Sequence, residues 1–429
     1  MAVDTLKRLR NMVIYSVFVR NYGKNGTFSD VEKDLERIKG LGVDIICFLP
    51  VYPVGETNRK GTLGSPYSIR NHRGINPEYG SPDDFRRLID KIHKLDMRVM
   101  IDIVFCHTSP DSDLLKKHPE FFYRKPDGKL GSRVGDARDI IDLDYSSKEL
   151  WKEQIDTMKY WISFGADGFR CDTASLIPIK FWKEAREEIR KVKPEVVWLA
   201  ENIEPDSITE FRKRGFNAGS DSELFNVFDM CCDYDVHRYL LGYLEGTNSL
   251  KEYITRAAQQ EYIFPENYVK LRFLENQDRP RAAGVIRNRD KLKTWTAYLF
   301  FQKGAVLIYN GQEAMEDHTQ SLYEHDKIVW EETDEEFTKL FKSLSALKKQ
   351  PIMAEGNYSI GVYDDMDIIV ITYDMDGEKL MGIFNVGLEK GEIKLPIADG
   401  NYDNLAVGGA TAVEDGTLIL TDNPIIIKL

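Results

Sequence analysis

Two kinds of pattern alternate along the first 350 residues. Apolar runs of strand length occur at 12–19, 43–50, 98–105, 166–171, 196–200, 222–228, 269–274 and 305–309. Between and after them lie stretches whose apolar residues recur three and four apart, at 29–39, 82–95, 148–164, 178–191 and 337–348, the spacing of one helix face. Ser29 as N-cap with Glu32 three residues on fits a capping box at the first of these helices. Eight strands alternating with helices predict a (β/α)8 TIM barrel over residues 1–351, an architecture whose reactive groups lie at the carboxyl ends of the strands.

The pattern changes at residue 352. Short alternating or β-branched runs at 358–363, 367–373, 380–386, 417–420 and 424–429 are separated by the turn signals MDGE, ADGN and EDG. They predict a small antiparallel, sandwich-like β domain over 352–429.

Charge marks the same boundary. Seventy acidic against 58 basic residues give a net charge of −12, which repels nucleic-acid phosphates and anionic lipid alike, so neither is expected as a partner. Residues 352–429 hold fourteen acids and four lysines, net −10, with no Arg, His, Trp or Cys, which leaves only −2 for residues 1–351. The chemistry is therefore expected in the barrel. The five cysteines (47, 106, 171, 231 and 232) form no CxxC and the seven histidines no HxxxH, so no metal ligand set is expected. No stretch approaches 18 uncharged apolar residues, and Asp4, Lys7, Arg8 and Arg10 at the start of the chain have no apolar block behind them. A cytoplasmic protein is expected, and its oligomeric state is left open.

The strand ends are rich in charge. Asp102 and His107 follow the third run, Arg170 and Asp172 end the fourth, Glu201 ends the fifth, and Asn276, Gln277 and Asp278 end the seventh. Arg170 and Asp172, two residues apart, point to one strand face, and in isolation they read as an ion pair. Several carboxylates at one barrel mouth are harder to dismiss. No cluster of His or Cys accompanies them, and GAVLIYNGQE after the last strands is not a Gly-rich phosphate loop. That combination suits glycoside hydrolysis, which works with a pair of carboxyl groups.

The motifs themselves resemble the alpha-amylase family of retaining glycoside hydrolases and transglycosidases. DIVFCH (102–107), GFRCD (168–172), WLAEN (198–202) and FLENQD (273–278) are similar to its four sequence regions, in the family's order. SPYSI around Tyr67, INPEYG around Pro77 and YNGQE (309–313) extend the resemblance over the whole barrel. Residues 105–145 resemble the family's inserted domain, here short, and the tail resembles the C-terminal β domain by position. The resemblance implies Asp172 as nucleophile, Glu201 as acid/base, and Asp278 as the third acid, gripping sugar hydroxyls. It further implies Arg170 orienting Asp172, Tyr67 stacking on the sugar, His107 hydrogen-bonding it, and Asp102 and Gln277 in the substrate site.

This chain also departs from the family's pattern. Cys106 stands where calcium-dependent members have an asparagine ligand, and a thiol is a poor ligand for a hard cation, so no cofactor is expected. Gln277 replaces the usual histidine before the third acid, a neutral amide for a chargeable imidazole. The implied activity is retaining hydrolysis of α-1,4 bonds in maltodextrins, with an oligosaccharide as the partner. A 4-α-glucanotransferase and a glucan-binding homologue with impaired catalysis stay open as alternatives.

Overall fold

The computed structural model describes residues 4–135, 137–330, 334–363 and 366–429; residue 136 of the expected insertion lies outside them. Eight parallel strands close into a barrel in simple sequential order: Val13–Val17, Ile45–Phe48, Arg98–Ile103, Gly168–Cys171, Val197–Ala200, Met230–Cys232, Lys270–Arg272 and Ala305–Tyr309. Side-chain alternation divides each strand between two cores. Ile14, Ile45, Cys47, Met100, Leu199, Met230, Leu271 and Leu307 fill the barrel interior. Val13, Tyr15, Ile46, Phe48, Val99, Ile101, Trp198 and Ile308 pack outward under the helices. Each such aliphatic side chain contributes roughly 1.5–3 kcal/mol by leaving water. No helix among the described residues is long and apolar enough to cross a membrane.

Two sequence expectations are corrected. The sixth strand is Met230–Cys232, not 222–228. The SELFNVF segment instead starts a helical turn, Asp221–Leu224, because Ser220 and Glu223 form a capping box in which Ser220 N and Oγ both donate to Glu223 Oε2, at 2.7 and 2.8 Å. The true strand is short and flanked by Asp229 and Asp233, which hid it among polar residues. The first helix is also displaced. It runs Phe28–Lys33 after Thr27, breaks at Asp34 and resumes as Leu35–Gly40. Ser29 caps nothing there, and Glu32 pairs with Arg87 and Lys91 of the next helix.

Other boundaries follow from local chemistry. The helix Lys148–Phe164 starts where Ser147 Oγ accepts from Leu150 N and stops at Gly165. At φ +120° that glycine lies against Ile89, where an added Cβ would come within 2.8 Å of its Cγ2. Lys270 and Arg272 face the helix layer, opposite Leu271, and are buried among anions. Lys270 bonds Asp221 and lies 2.7 Å from Asp235, while Arg272 bonds both oxygens of Asp233 at 2.8 Å. Buried charges persist only when paired this way.

After the third strand, His107–Thr108 pairs with Ile141–Asp142 in a small antiparallel ladder. From Asn357 onward the chain builds two four-stranded antiparallel sheets. One holds Asn357–Val362, Ile368–Met375, Glu378–Asn385 and Ile425–Lys428. The other orders Glu392–Lys394, Thr417–Ile419, Ala410–Glu414 and Gly400–Asp403. Ile383, Ile393, Val413, Leu418 and Ile427 are buried between them. The first sheet turns its other face to the barrel helix Arg289–Phe301, where Phe384 meets Tyr298 and Phe301. Three strands of the second sheet escaped the sequence reading because their outer faces are polar and solvated.

Candidate active site

Parallel register sets the centre of the site. Asp102 and Arg170 are direct partners on the third and fourth strands, and Arg170 lies opposite Leu199 on the fifth. From there one guanidinium reaches three carboxylates. Its Nη1 donates to Asp102 Oδ2 at 2.6 Å and Asp172 Oδ1 at 3.2 Å, and its Nη2 lies 2.5 Å from Glu201 Oε1. The planar, permanently charged fork of arginine is suited to bridging several carboxylates at once. All four side chains are buried.

The backbone after Asp172 is bent to complete the arrangement. Thr173 adopts φ 41°, ψ 42°, a left-handed conformation that costs a β-branched residue roughly 1–3 kcal/mol. That turn aims Thr173 N–H at Glu201 Oε2 (3.0 Å) and lets Ala174 N donate to the Glu201 carbonyl (2.8 Å). A second chain of bonds arrives from the other side. Tyr234 OH donates weakly to Glu201 Oε1 at 3.5 Å and accepts from Asn276 Nδ2 at 2.8 Å. Asn276 Oδ1 receives Asp278 N (2.9 Å), and Gln277 Nε2 donates to Asp278 Oδ2 (2.6 Å).

Three buried carboxyls thus contact one buried guanidinium, with Asp278 close enough to feel its charge, and the charge does not balance if all ionise. Burial is the largest cause of shift in each case and pushes the acids up, while Arg170 pulls them down. Asp102, Asp172 and Asp278 are held at about 6. Glu201 is raised to about 7, by burial first and then by the repulsion of Asp172. Near neutral pH Glu201 is therefore the group that most readily keeps a proton.

Tyr67 and His107 border this cluster. Tyr67 OH donates to Asp102 Oδ2 at 3.2 Å, and the Arg170 guanidinium carbon lies 5.8 Å from the centre of its ring. His107 Nε2 is 3.0 Å from the Tyr67 carbonyl oxygen, which can only accept, so Nε2 carries the proton. Nδ1 then receives the Cys106 thiol at 2.9 Å. Both ring nitrogens thus have protein partners.

Cys106 bears on calcium binding at this position. Its buried sulfur lies 2.8 Å from Thr173 Oγ1 and 3.6 Å from Asp172 Oδ2, and burial keeps the thiol strongly protonated. A hard oxygen-seeking cation does not fit that sulfur and nitrogen environment. Activity and Tm are expected to be no lower after EDTA treatment. A fall of many degrees on chelation would show that other groups hold a structural cation.

All eight sequence-predicted residues, Asp172, Glu201, Asp278, Tyr67, Asp102, His107, Arg170 and Gln277, come together at this mouth. Sequence reasoning missed Thr173, Tyr234 and the Arg279–Glu204 ion pair (2.6 Å), which also line the cleft. Tyr234 follows the sixth strand, so misplacing that strand hid it. Arg279 and Glu204 each follow a named acid by one and three positions, and that proximity was the available signal.

Comparison with known proteins agrees with this geometry. The family model of the alpha amylase catalytic domain matches residues 13–127 and 134–351, and that of the bacterial alpha amylase C-terminal domain matches 359–427. An alpha-amylase from Lactobacillus plantarum is 44 % identical, with a TM-score of 0.96 over 99 % of this chain and 100 % of its own. A maltogenic alpha-amylase from Thermotoga neapolitana is 31 % identical, with a TM-score of 0.87 over 98 % of this chain and 99 % of its own. Alpha-1,4-glucan:maltose-1-phosphate maltosyltransferase of Salinibacter ruber is 31 % identical over 240 residues, 49 % of this chain and 36 % of the relative. The chain therefore spans about a third of the length of the curated relatives it matches. With a closed eight-stranded barrel, the four motif regions converging on its mouth and both family models matched, this chain belongs to the alpha-amylase family.

Proposed function

We propose that the protein is a retaining glycoside hydrolase that cleaves α-1,4 bonds of maltodextrins. The observation that carries this reading is the pair Asp172 and Glu201, both bound to Arg170, with Glu201 held at the higher pKa. One carboxyl is then poised to attack while the other still has a proton to give.

In the first step Asp172 attacks the anomeric carbon and Glu201 transfers its proton to the departing glycosidic oxygen. This leaves a glycosyl ester on Asp172. In the second, the Glu201 carboxylate removes a proton from water, whose oxygen attacks the same carbon and frees Asp172. Arg170 keeps Asp172 oriented throughout, ionised before it attacks and again once water has released it from the ester. Asp278, steadied by Gln277, binds sugar hydroxyls as the ring flattens, and the remaining Gln277 Oε1 is an acceptor for the sugar. Tyr67 supplies a stacking face, Asp102 fixes Arg170 and Tyr67, and His107 holds the Tyr67 loop. The five unpaired cysteines fit a cytoplasmic protein.

A pH profile follows from the two carboxyls. The rate kcat/KM needs Asp172 ionised and Glu201 protonated, so it should rise through about 6 and fall through about 7. These apparent values belong to the coupled cluster. A broad plateau extending to pH 9 would remove Glu201 as the acid.

Maltoheptaose tests the function itself. Reducing ends should accumulate, with products shorter than the substrate and the α-anomer formed first. Longer products with no gain in reducing ends would make the protein a glucanotransferase, the activity that the names of its curated relatives resemble more closely. Binding without turnover would make it a glucan-binding homologue.

A further inference from the structure

The cysteine that stands in the usual calcium-ligand position belongs to a different donor set. Cys106 Sγ, His107 Nδ1 and an Asp172 carboxylate oxygen all lie within 4.8 Å of one another. Sulfur, imidazole and carboxylate are the ligands that zinc and other thiophilic dications take, usually as three protein ligands with a fourth, open position. We propose that Cys106, His107 and Asp172 form a binding site for one thiophilic divalent cation, Zn2+ or Cd2+, at the floor of the cleft.

Three features support it. The histidine is already oriented as a ligand, because its Nε2–H is fixed on the Tyr67 carbonyl and Nδ1 presents its lone pair to the sulfur. Metal-bound histidines are commonly held in this way through the other ring nitrogen. The spacing is also near what a metal needs. Tetrahedral zinc, with Zn–S about 2.3 Å and Zn–N about 2.0–2.1 Å, separates sulfur from nitrogen by roughly 3.5 Å. The observed separations are 2.9 Å from Sγ to Nδ1 and 3.6 Å from Sγ to Asp172 Oδ2, so a small rotation of Cys106 opens the gap. Third, charge balances: binding expels the thiol proton to solvent, and a thiolate plus a carboxylate neutralise the dication. His107 and Asp172 line the cleft, which provides an entry path and a place for a water as fourth ligand.

A metal so bound occupies the Asp172 lone pair. On the reading of Asp172 as nucleophile it therefore inhibits turnover, but the binding itself does not depend on that reading. Cadmium is the spectroscopic probe, since a cadmium–thiolate bond has an ultraviolet charge-transfer band. Titrating the full chain with CdCl2 should develop this band to one equivalent. Cys106→Ser should abolish it, and Asp172→Asn, which keeps the thiol, should weaken binding at least tenfold. The four other cysteines are buried and remain in both variants as controls. In parallel, the ZnCl2 concentration that halves maltoheptaose hydrolysis should rise at least tenfold in Cys106→Ser, each protein being referred to its own metal-free rate. No band in the wild type, or a band that persists in Cys106→Ser, overturns the site. A normal band with hydrolysis untouched by zinc supports the site and overturns the assignment of Asp172 instead.

Discussion

Asp172→Asn should lower kcat on maltoheptaose by on the order of 10⁴-fold or more while leaving the protein folded. An amide has the shape of the carboxylate but cannot form the glycosyl ester, so the two-step route is closed and only binding and distortion remain. The stability change should go the other way. Asp172 is an acid whose folded pKa, about 6, lies above its ordinary 3.8. Its ionisation therefore opposes folding, by nothing below pH 3.8, increasingly from there to about 6, and fully above that, up to roughly 3 kcal/mol. Asparagine removes this term, and Arg170 keeps Asp102 and Glu201 as partners. Tm at pH 7 should equal or exceed that of the wild type, and the gap should close as the pH is lowered toward 4. Calorimetry beside initial rates checks both halves. Activity within tenfold of wild type, or a melt far below it, would contradict this account of the residue.

Glu201→Gln separates proton transfer from attack. Maltoheptaose has a poor leaving group that needs a proton, so kcat/KM should fall by about 10²–10⁴-fold, the usual range for a general acid. A maltosyl fluoride leaves without a proton, and its first step should survive. The second step still lacks its base, so glycosyl ester should accumulate on Asp172, seen as a burst of fluoride and as a disaccharide adduct on the peptide containing that residue. The alkaline limb of the pH profile should vanish with the fluoride. The fold should lose little. The Gln oxygen can keep Arg170 Nη2, but its NH2 would then face Thr173 N–H, and losing that one bond costs about 0.5–1.5 kcal/mol. Equal loss on both substrates, with no adduct, would show that Glu201 acts on attack or binding and not on the leaving group.

Much of this protein was legible in its sequence because the relevant signals are local. Strand-length apolar runs record burial on two barrel faces, and seven of the eight barrel strands lie within the runs that predicted them. A strand of three residues between acids, Met230–Cys232, records almost nothing of the kind, and its helical neighbour had the more apolar pattern. The identities of Asp172, Glu201, Asp278 and Arg170 were likewise visible, since each lies in a motif at or beyond the carboxyl end of a strand.

What they do to one another was decided by tertiary structure. The net charge of −12 does not say that three carboxyls share one guanidinium, because their balance depends on distances between strands that bring Arg170 to Asp102, 68 residues before it, and to Glu201, 31 residues after it. Nor does a sequence contain the cost of burial and of like-charge repulsion, which together hold both Glu201 and Asp172 above ordinary carboxyl values. Cys106 shows the division most plainly. Its residue type alone argued against calcium, because sulfur is soft; that it faces His107 and Asp172 follows from the barrel register and the left-handed turn at Thr173, which no local pattern encodes.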